Sequence, residues 1–439
     1  MNLDDWLSLL EQRHPQAIDM GLERCGRVYR RMGAPRPANQ VITVAGTNGK
    51  GSTVAYIAAM IGALGLRFGT FTSPHIFRFN ERICLMGVPV SDRRLVNAFE
   101  QVEKYRGDIS LTYFEFTTLA GLLILQQAQL DYAVLEVGLG GRLDTVNLVD
   151  ADCAVITPIG LDHQEYLGPD LASIATEKAG VLRRGKPVVC AQASPPAPIL
   201  DIARSLQAPV YRRGAEFELS DLPGSVGPGL EFTMGDASLR VPRPGMGGQH
   251  QLDNLAAALA SVVLMQPECL LKADEMAAAI RTCRVPGRLQ KVNSTPEILL
   301  DVGHNELAAA AIAAHIRNRN RPVTICVVAM LADKSAEAVA LAMEGVFQHW
   351  LCAGSPGPRG QSGEQLARRI KSILPQARVS EFKSVEQAMQ SALSLAGNDA
   401  SILVFGSFTT VLAAAEWIKD SMQRNGLDAA KLTCSGPGS

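Results

Sequence analysis

The sequence predicts an α/β protein built as two sheet domains in tandem, with a small antiparallel β appendage carried by the first. Three observations predict it. Short apolar, β-branched runs alternate with helical patterns along most of the chain, as in mostly parallel sheets covered on both faces. The alternation runs through twice, and a Gly- and Pro-rich stretch of different character separates the two series. The length of 439 residues also exceeds what a single core ordinarily serves.

Residues 2–33 read as two helices, with Leu3, Trp6, Leu7 and Leu10 at helical spacing. Ala34-Pro35-Arg36-Pro37-Ala38 breaks them. The β-branched run Val41–Val44 then meets Gly46, and an Ala-rich helix follows from Ser52 to Leu66. Further strands are expected at Phe68–Thr72, Tyr132–Val137, Ala154–Thr157 and Pro187–Cys190, with helices at 92–106, 115–129 and 170–183. Between 209 and 245 three alternating runs (Glu216–Leu219, Leu230–Thr233, Ser238–Val241) suggest the antiparallel appendage. Helices resume at 249–266 and 272–284.

The first domain is therefore expected to span 1–285. Val285-Pro286-Gly287-Arg288 marks a linker at 286–290, and a Rossmann-like α/β domain fills 291–425. Its strands are expected at Ile298–Val302, Val323–Val328, His349–Cys352, Arg378–Phe382 and Ile402–Phe405. Its helices are expected at 306–317, 335–345, 362–373, 384–396 and 409–424. Residues 426–439, ending in CSGPGS, read as a frayed tail.

Composition excludes several classes of function. Basic and acidic residues number 42 and 43, so no global field attracts nucleic acid or an anionic membrane. A small anionic substrate must be held by local groups. The nine cysteines are dispersed and form no CxxC pair, which disfavours a disulfide framework or a structural zinc site. The N-terminus lacks a basic, then apolar, leader, and no apolar run reaches membrane-spanning length. The expected compartment is the cytoplasm and the expected state a monomer.

The strongest motif is Gly46-Thr47-Asn48-Gly49-Lys50-Gly51-Ser52-Thr53, set between a strand and a helix. Glycines let backbone N–H groups turn around phosphate oxygens, and the helix N-terminus favours the same anion. Lys50 would neutralise the β- and γ-phosphates, and a hydroxyl of Ser52 or Thr53 would reach a phosphate or Mg²⁺. The loop is P-loop-type but departs from GxxxxGK[ST]. Val44 stands where the first glycine belongs, and Gly51 stands where Ser or Thr belongs.

Further motifs follow in order: Thr72-Ser73-Pro74-His75, Phe79-Asn80-Glu81-Arg82, Glu136-Val137-Gly138-Leu139-Gly140-Gly141-Arg142-Leu143-Asp144, Gly160-Leu161-Asp162-His163, Glu177-Lys178-Ala179-Gly180, Pro286-Gly287-Arg288 and Asp301-Val302-Gly303-His304-Asn305. With the glycine loop, they resemble the folylpolyglutamate synthase and dihydrofolate synthase family, which is related to the Mur ligases. The resemblance runs from about Leu9 to Ser407.

The resemblance implies an ATP-dependent acid–amino-acid ligase of folate biosynthesis and one-carbon metabolism. Its substrates would be dihydropteroate, reduced folates, L-glutamate and ATP. It implies ATP contacts from Thr47, Asn48, Gly49, Lys50, Gly51, Ser52, Asn254, Arg288 and Asp301. Ser73, Glu136 and His163 would hold a Mg²⁺. They follow three successive strands, whose carboxyl ends share one rim in a parallel sheet. Lys178 would be carbamylated and support a second Mg²⁺, which requires a neutral amine. Ile18-Asp19-Met20, Thr112-Tyr113-Phe114-Glu115 and Leu143-Asp144-Thr145 resemble the dihydropteroate pocket of the bifunctional bacterial form. His304 would face the glutamate or γ-phosphate, and Ser407 the amino acid.

Blander roles stay open for several of these residues. Asn254 suits a helix N-cap, Lys178 an ordinary helical lysine, and Arg288 a solvated linker residue. A Mur-type ligase of cell-wall synthesis and a P-loop regulatory ATPase are the competing readings. The loop begins at residue 46, which leaves little room for the extra UDP-sugar domain of the first.

Overall fold

The computed structural model describes residues 1–16, 18–222, 229–319, 323–397 and 400–424. The expected frayed tail at 426–439 lies outside the described residues. The chain divides into two compact units. The first comprises Met1–Ile159, His163–Gly245 and Leu252–Cys283; the second comprises Gly160–Asp162, Met246–Gln251 and the chain from Arg284 onward.

The first unit holds β1 (Ala38–Ala45), β2 (Phe68–Phe71), β3 (Ile83–Leu85), β4 (Val88–Pro89), β5 (Leu130–Glu136), β6 (Cys153–Ile156), β7 (Val188–Cys190) and β8 (Val210–Arg212). They form one sheet in the order β4-β3-β2-β5-β1-β6-β7-β8. All neighbours from β2 to β8 are parallel, and β3 and β4 add an antiparallel edge. Val41, Ile42, Val44 and Ala45 are wholly buried, as a strand covered on both faces requires. Val44 lies opposite Glu136 on one side and Val155 on the other. The carboxyl ends of β5, β1 and β6 are therefore neighbours, and everything that follows them shares one rim.

Phe99 anchors an aromatic cluster on one face of this sheet. Its ring centroid lies 5.9 Å from Trp6, 5.9 Å from Phe79 and 5.6 Å from Phe116. The contacts join the helices Leu3–Arg13, Asp92–Arg106 and Tyr113–Gln127.

The appendage is a three-stranded antiparallel sheet of β9 (Phe217–Asp221), β10 (Gly229–Met234) and β11 (Ala237–Pro242). It is smaller than the 209–245 stretch suggested, because Val210–Arg212 pairs in parallel with β7 and extends the large sheet. That run is too short for its alternation to reveal its partner. The helix expected at 170–183 stops at Ala179, where Gly180 supplies the C-cap.

The second unit holds β12 (Gln290–Ser294), β13 (Glu297–Asp301), β14 (Ile325–Val328), β15 (His349–Ala353), β16 (Arg378–Phe382) and β17 (Ser401–Phe405), in the order β12-β13-β17-β14-β15-β16. Only β12 runs antiparallel to its neighbour. The helix Glu306–Arg317 falls where the sequence put it, whereas the one expected at 335–345 narrows to Ala336–Ala342.

Removing the Phe99 ring leaves a cavity beneath three helices at once. Phe99→Ala is expected to lower the unfolding free energy by about 3–5 kcal/mol, read from the denaturant midpoint.

Candidate active site

The glycine loop leaves β1 at Ala45 and enters the helix Lys50–Ala63. Two of its glycines are required by space as well as by angle. Gly46 has φ 146°, and a Cβ there would lie 1.8 Å from Thr157 Oγ1. Gly49 has φ 89°, and a Cβ there would lie 2.2 Å from Asn254 Oδ1. The loop is held from the β6 side, where the Pro158 carbonyl accepts from the Thr47 and Asn48 amides at 3.0 and 3.3 Å.

Two lysines converge on this loop. Lys50 Nζ folds back to donate to the Gly46 and Thr47 carbonyls, both at 3.1 Å. Lys178 Nζ donates to the same Gly46 carbonyl at 2.8 Å. Lys178 is only 4% exposed, so it is no ordinary helical surface lysine. Asn254 is buried within the helix His250–Met265, beside the loop, and does not stand at that helix's N-cap.

At the same rim, the Ser73 amide donates to Glu136 Oε2 at 3.1 Å. Glu136 is the last residue of β5 and is buried. His163 follows β6 with φ 51° at the head of the short helix Gln164–Leu167. A positive φ is uncommon for a non-glycine residue and marks a constrained position. Among the described residues no three His, Cys, Asp or Glu side chains gather into a metal cage. The hard oxygens of Ser73 and Glu136 do fit a magnesium-type ion.

The three expected acid-pocket segments meet. Arg24 joins two of them, bonding Asp19 Oδ2 at 2.7 Å and Glu115 Oε1 at 3.0 Å. Glu115 also completes a capping box with Thr112 at the start of the helix Tyr113–Gln127. Phe114 leaves no room for a Cβ at Gly138, and Met20 packs beside Gly140. Thr145 bonds the Cys25 thiol, and Ile18 and Leu143 flank these contacts in sequence. Arg24 lies four residues beyond the Ile18–Met20 segment, and nothing in its spacing announced a bridge.

Asp144 turns the corner, accepting from the Leu139 amide at 2.8 Å and the Val146 amide at 2.9 Å. Burial pushes its carboxyl up to about 6, against the lowering pull of these amides and of Lys50. The charge of Lys50, on the glycine loop, is thus felt at this corner.

The second unit carries its own cluster. Asp162 accepts from Lys334 at 2.7 Å and from Asn305 at 3.0 Å, and His304 Nε2 lies 3.6 Å away. Asp162 was legible in the Gly160–His163 motif, but Lys334 carried no signal at all. Asp301 accepts from the Leu289 and Gly303 amides at 2.9 and 2.7 Å, and burial raises its pKa. The Arg288 guanidinium lies 5.7 Å from the Phe408 ring, so it is packed and not merely solvated. Ser407 Oγ caps the helix Phe408–Arg424 by accepting the Thr410 amide at 3.0 Å. A cavity of about 470 Å³ opens nearby, lined among others by Gln361, Lys383, Ser384 and Thr410. Ser407 is not among its lining residues.

The Asp144 shift sets a pH dependence. Its folded pKa of about 6 exceeds the ordinary value of 3.8, so the native state holds a proton the unfolded chain releases. That contribution is complete below pH 3.8 and is lost as pH rises through 6. Relative to Asp144→Asn, the unmodified protein is expected to lose about 3 kcal/mol of stability over this window, measured by urea unfolding at each pH.

Known proteins carry the same organisation. Residues 44–262 match the Mur ligase middle domain, and residues 287–408 match the Mur ligase glutamate ligase domain. The dihydrofolate synthase/folylpolyglutamate synthase of Escherichia coli K12 is 39% identical over 419 residues, covering 95% of each chain. The structure of E. coli FolC in complex with DHPP and ADP superposes with a TM-score of 0.87 at 37% identity, covering 96% of this chain and 99% of that one. A bifunctional folylpolyglutamate synthase/dihydrofolate synthase with Mn, AMPPNP and L-glutamate bound gives 0.86 at 39% identity, covering 97% and 98%. On this evidence the chain belongs to the Mur ligase family and, within it, to the dihydrofolate synthases/folylpolyglutamate synthases.

Proposed function

We infer that this chain is an ATP-dependent ligase that phosphorylates the carboxylate of dihydropteroate, and of reduced folates, and joins it to L-glutamate. The observation that supports this most directly is the crowding at Gly46. Two lysine nitrogens share its carbonyl, beside the Ser73–Glu136 pair and within the field of the Asp144 corner.

The chemical problem is repulsion. A carboxylate must approach the γ-phosphate although both are anionic, and it cannot release oxide unaided. Lys50 and the loop amides would offset the charge that builds up in transfer. The acyl phosphate then has a leaving group, and the neutral amine of glutamate attacks it, giving an amide, ADP and phosphate. When bound, a divalent ion held by Ser73, Glu136 and His163 would supply charge neutralisation at the phosphates. Thr47, Asn48, Gly49, Gly51 and Ser52 would cradle the triphosphate. Asn254 would contact the adenine side, as would Arg288 and Asp301. His304 and Ser407 belong to the glutamate side. Ile18–Met20, Thr112–Glu115 and Leu143–Thr145 would enclose the pterin acid.

Lys178 is proposed to carry CO₂ as a carbamate that supports a second Mg²⁺. Lys178 is buried and its nitrogen lies against the glycine loop, beside the oxygens proposed to hold the first ion. A carbamylated nitrogen keeps one N–H, so the bond to Gly46 survives. We place the enzyme in the cytoplasm as a monomer. Among the described residues no helix is long and apolar enough to cross a membrane.

The deciding assay is phosphate release with dihydropteroate or tetrahydrofolate, each with and without glutamate. Release that requires both acid and amino acid is expected, and release indifferent to either would overturn the assignment. Lys50→Ala is expected to lower turnover by about 10²–10³-fold with an unchanged melting profile. Mass measurement of the Lys178 peptide under bicarbonate is expected to show the added CO₂, and a free amine there would refute the carbamate.

A further inference from the structure

Arg82 ends the short turn Phe79–Arg82, between the Ser73 loop and β3. Only 9% of it is exposed. Its backbone carbonyl is fixed by the Thr72 amide at 2.8 Å. The guanidinium carbon lies 5.3 Å from the Phe79 ring centroid and 5.6 Å from that of Tyr113. Its Nε donates to His75 Nδ1 at 2.9 Å. That bond needs an Nδ1 that carries no proton. The imidazole is thus a fixed acceptor that sets the guanidinium plane.

What the guanidinium lacks is an ion-pair partner. Among the described residues no carboxylate comes within salt-bridge distance of it. Glu136 and Glu81 act on it only as more distant attractive charges. A covered cation without a paired anion is costly, because desolvation penalises the charged form and nothing close returns the energy. An arginine presents its terminal N–H groups as a planar fork that matches a carboxylate or phosphate. The guanidinium lies against Tyr113, from the proposed pterin-acid segment, and within the field of Glu136, from the proposed metal site.

We propose that Arg82 binds the carboxylate of the acid substrate through its two terminal nitrogens and holds it toward the phosphate loop. The proposal rests on the function inferred above. It explains why a rigid cation is placed where an acid segment and a nucleotide segment meet. It also gives the pterin acid a contact at the reacting end, as distinct from the pterin end.

The test uses the full chain and equilibrium binding of dihydropteroate, compared with the analogue in which hydrogen replaces the carboxylate. In the unmodified protein the carboxylate is expected to tighten binding at least tenfold. In Arg82→Gln the two ligands are expected to bind alike, while affinity for a non-hydrolysable ATP analogue and the melting temperature stay the same. Arg82→Lys is expected to restore part of the difference, and it serves as the folded comparison if the glutamine variant is unstable. A tenfold preference that persists in both variants overturns the proposal. So does a loss confined to nucleotide or metal affinity, which would make Arg82 a support for Glu136. Phosphate release by the unmodified protein is measured alongside. If that enzyme ignores dihydropteroate and glutamate, the functional reading itself fails; if it turns over normally and only the carboxylate preference is unaffected by the variants, the Arg82 assignment alone fails.

Discussion

One carbonyl oxygen organises the first unit's rim. The Gly46 carbonyl accepts from both Lys50 and Lys178, and its α-carbon has no room for a side chain against Thr157. The loop is therefore closed by contacts from three directions: its own helix, the segment after β6, and the helix that carries Lys178. Such a loop is preorganised, so bound phosphate would not have to order it. The sheet order makes this possible, because β1 lies between β5 and β6 and both neighbours deliver residues to the same side.

Strand and helix identities were largely legible because period and length agreed in the long elements. The strand around Val41–Val44, the helix Glu306–Arg317 and the strand Arg378–Phe382 all sit where their patterns put them. What escaped notice was short. Ile83–Leu85 and Val210–Arg212 hold three residues each, too few for a period, and their membership depends on a partner strand remote in sequence. The antiparallel edge strand Gln290–Ser294 was likewise hidden behind the linker signal.

The site divides in the same way. Residues inside glycine-rich or acidic motifs could be found, since backbone freedom and charge leave a trace in composition. The trace did not say who touches whom. Arg24 reaches Glu115 across 91 residues, and Lys334 reaches Asp162 across 172. Both are single cations in helical or turn surroundings, where sequence gives solvated charge the better odds. Glu115 in the one pair and Lys334 in the other are buried, which makes each pair worth more than a surface bridge, because removing its partner strands the buried charge.

Asp162 belongs to the second unit although it is translated far ahead of most of that unit. The groups that donate to it, Asn305 and Lys334, emerge from the ribosome only much later. A truncated nascent chain ending near residue 284 would carry the aspartate without Asn305 and Lys334. A separately expressed fragment beginning there would hold a buried lysine with its counter-charge missing. The two units are thus interleaved in the gene, and a cut near residue 284 parts this aspartate from both donors.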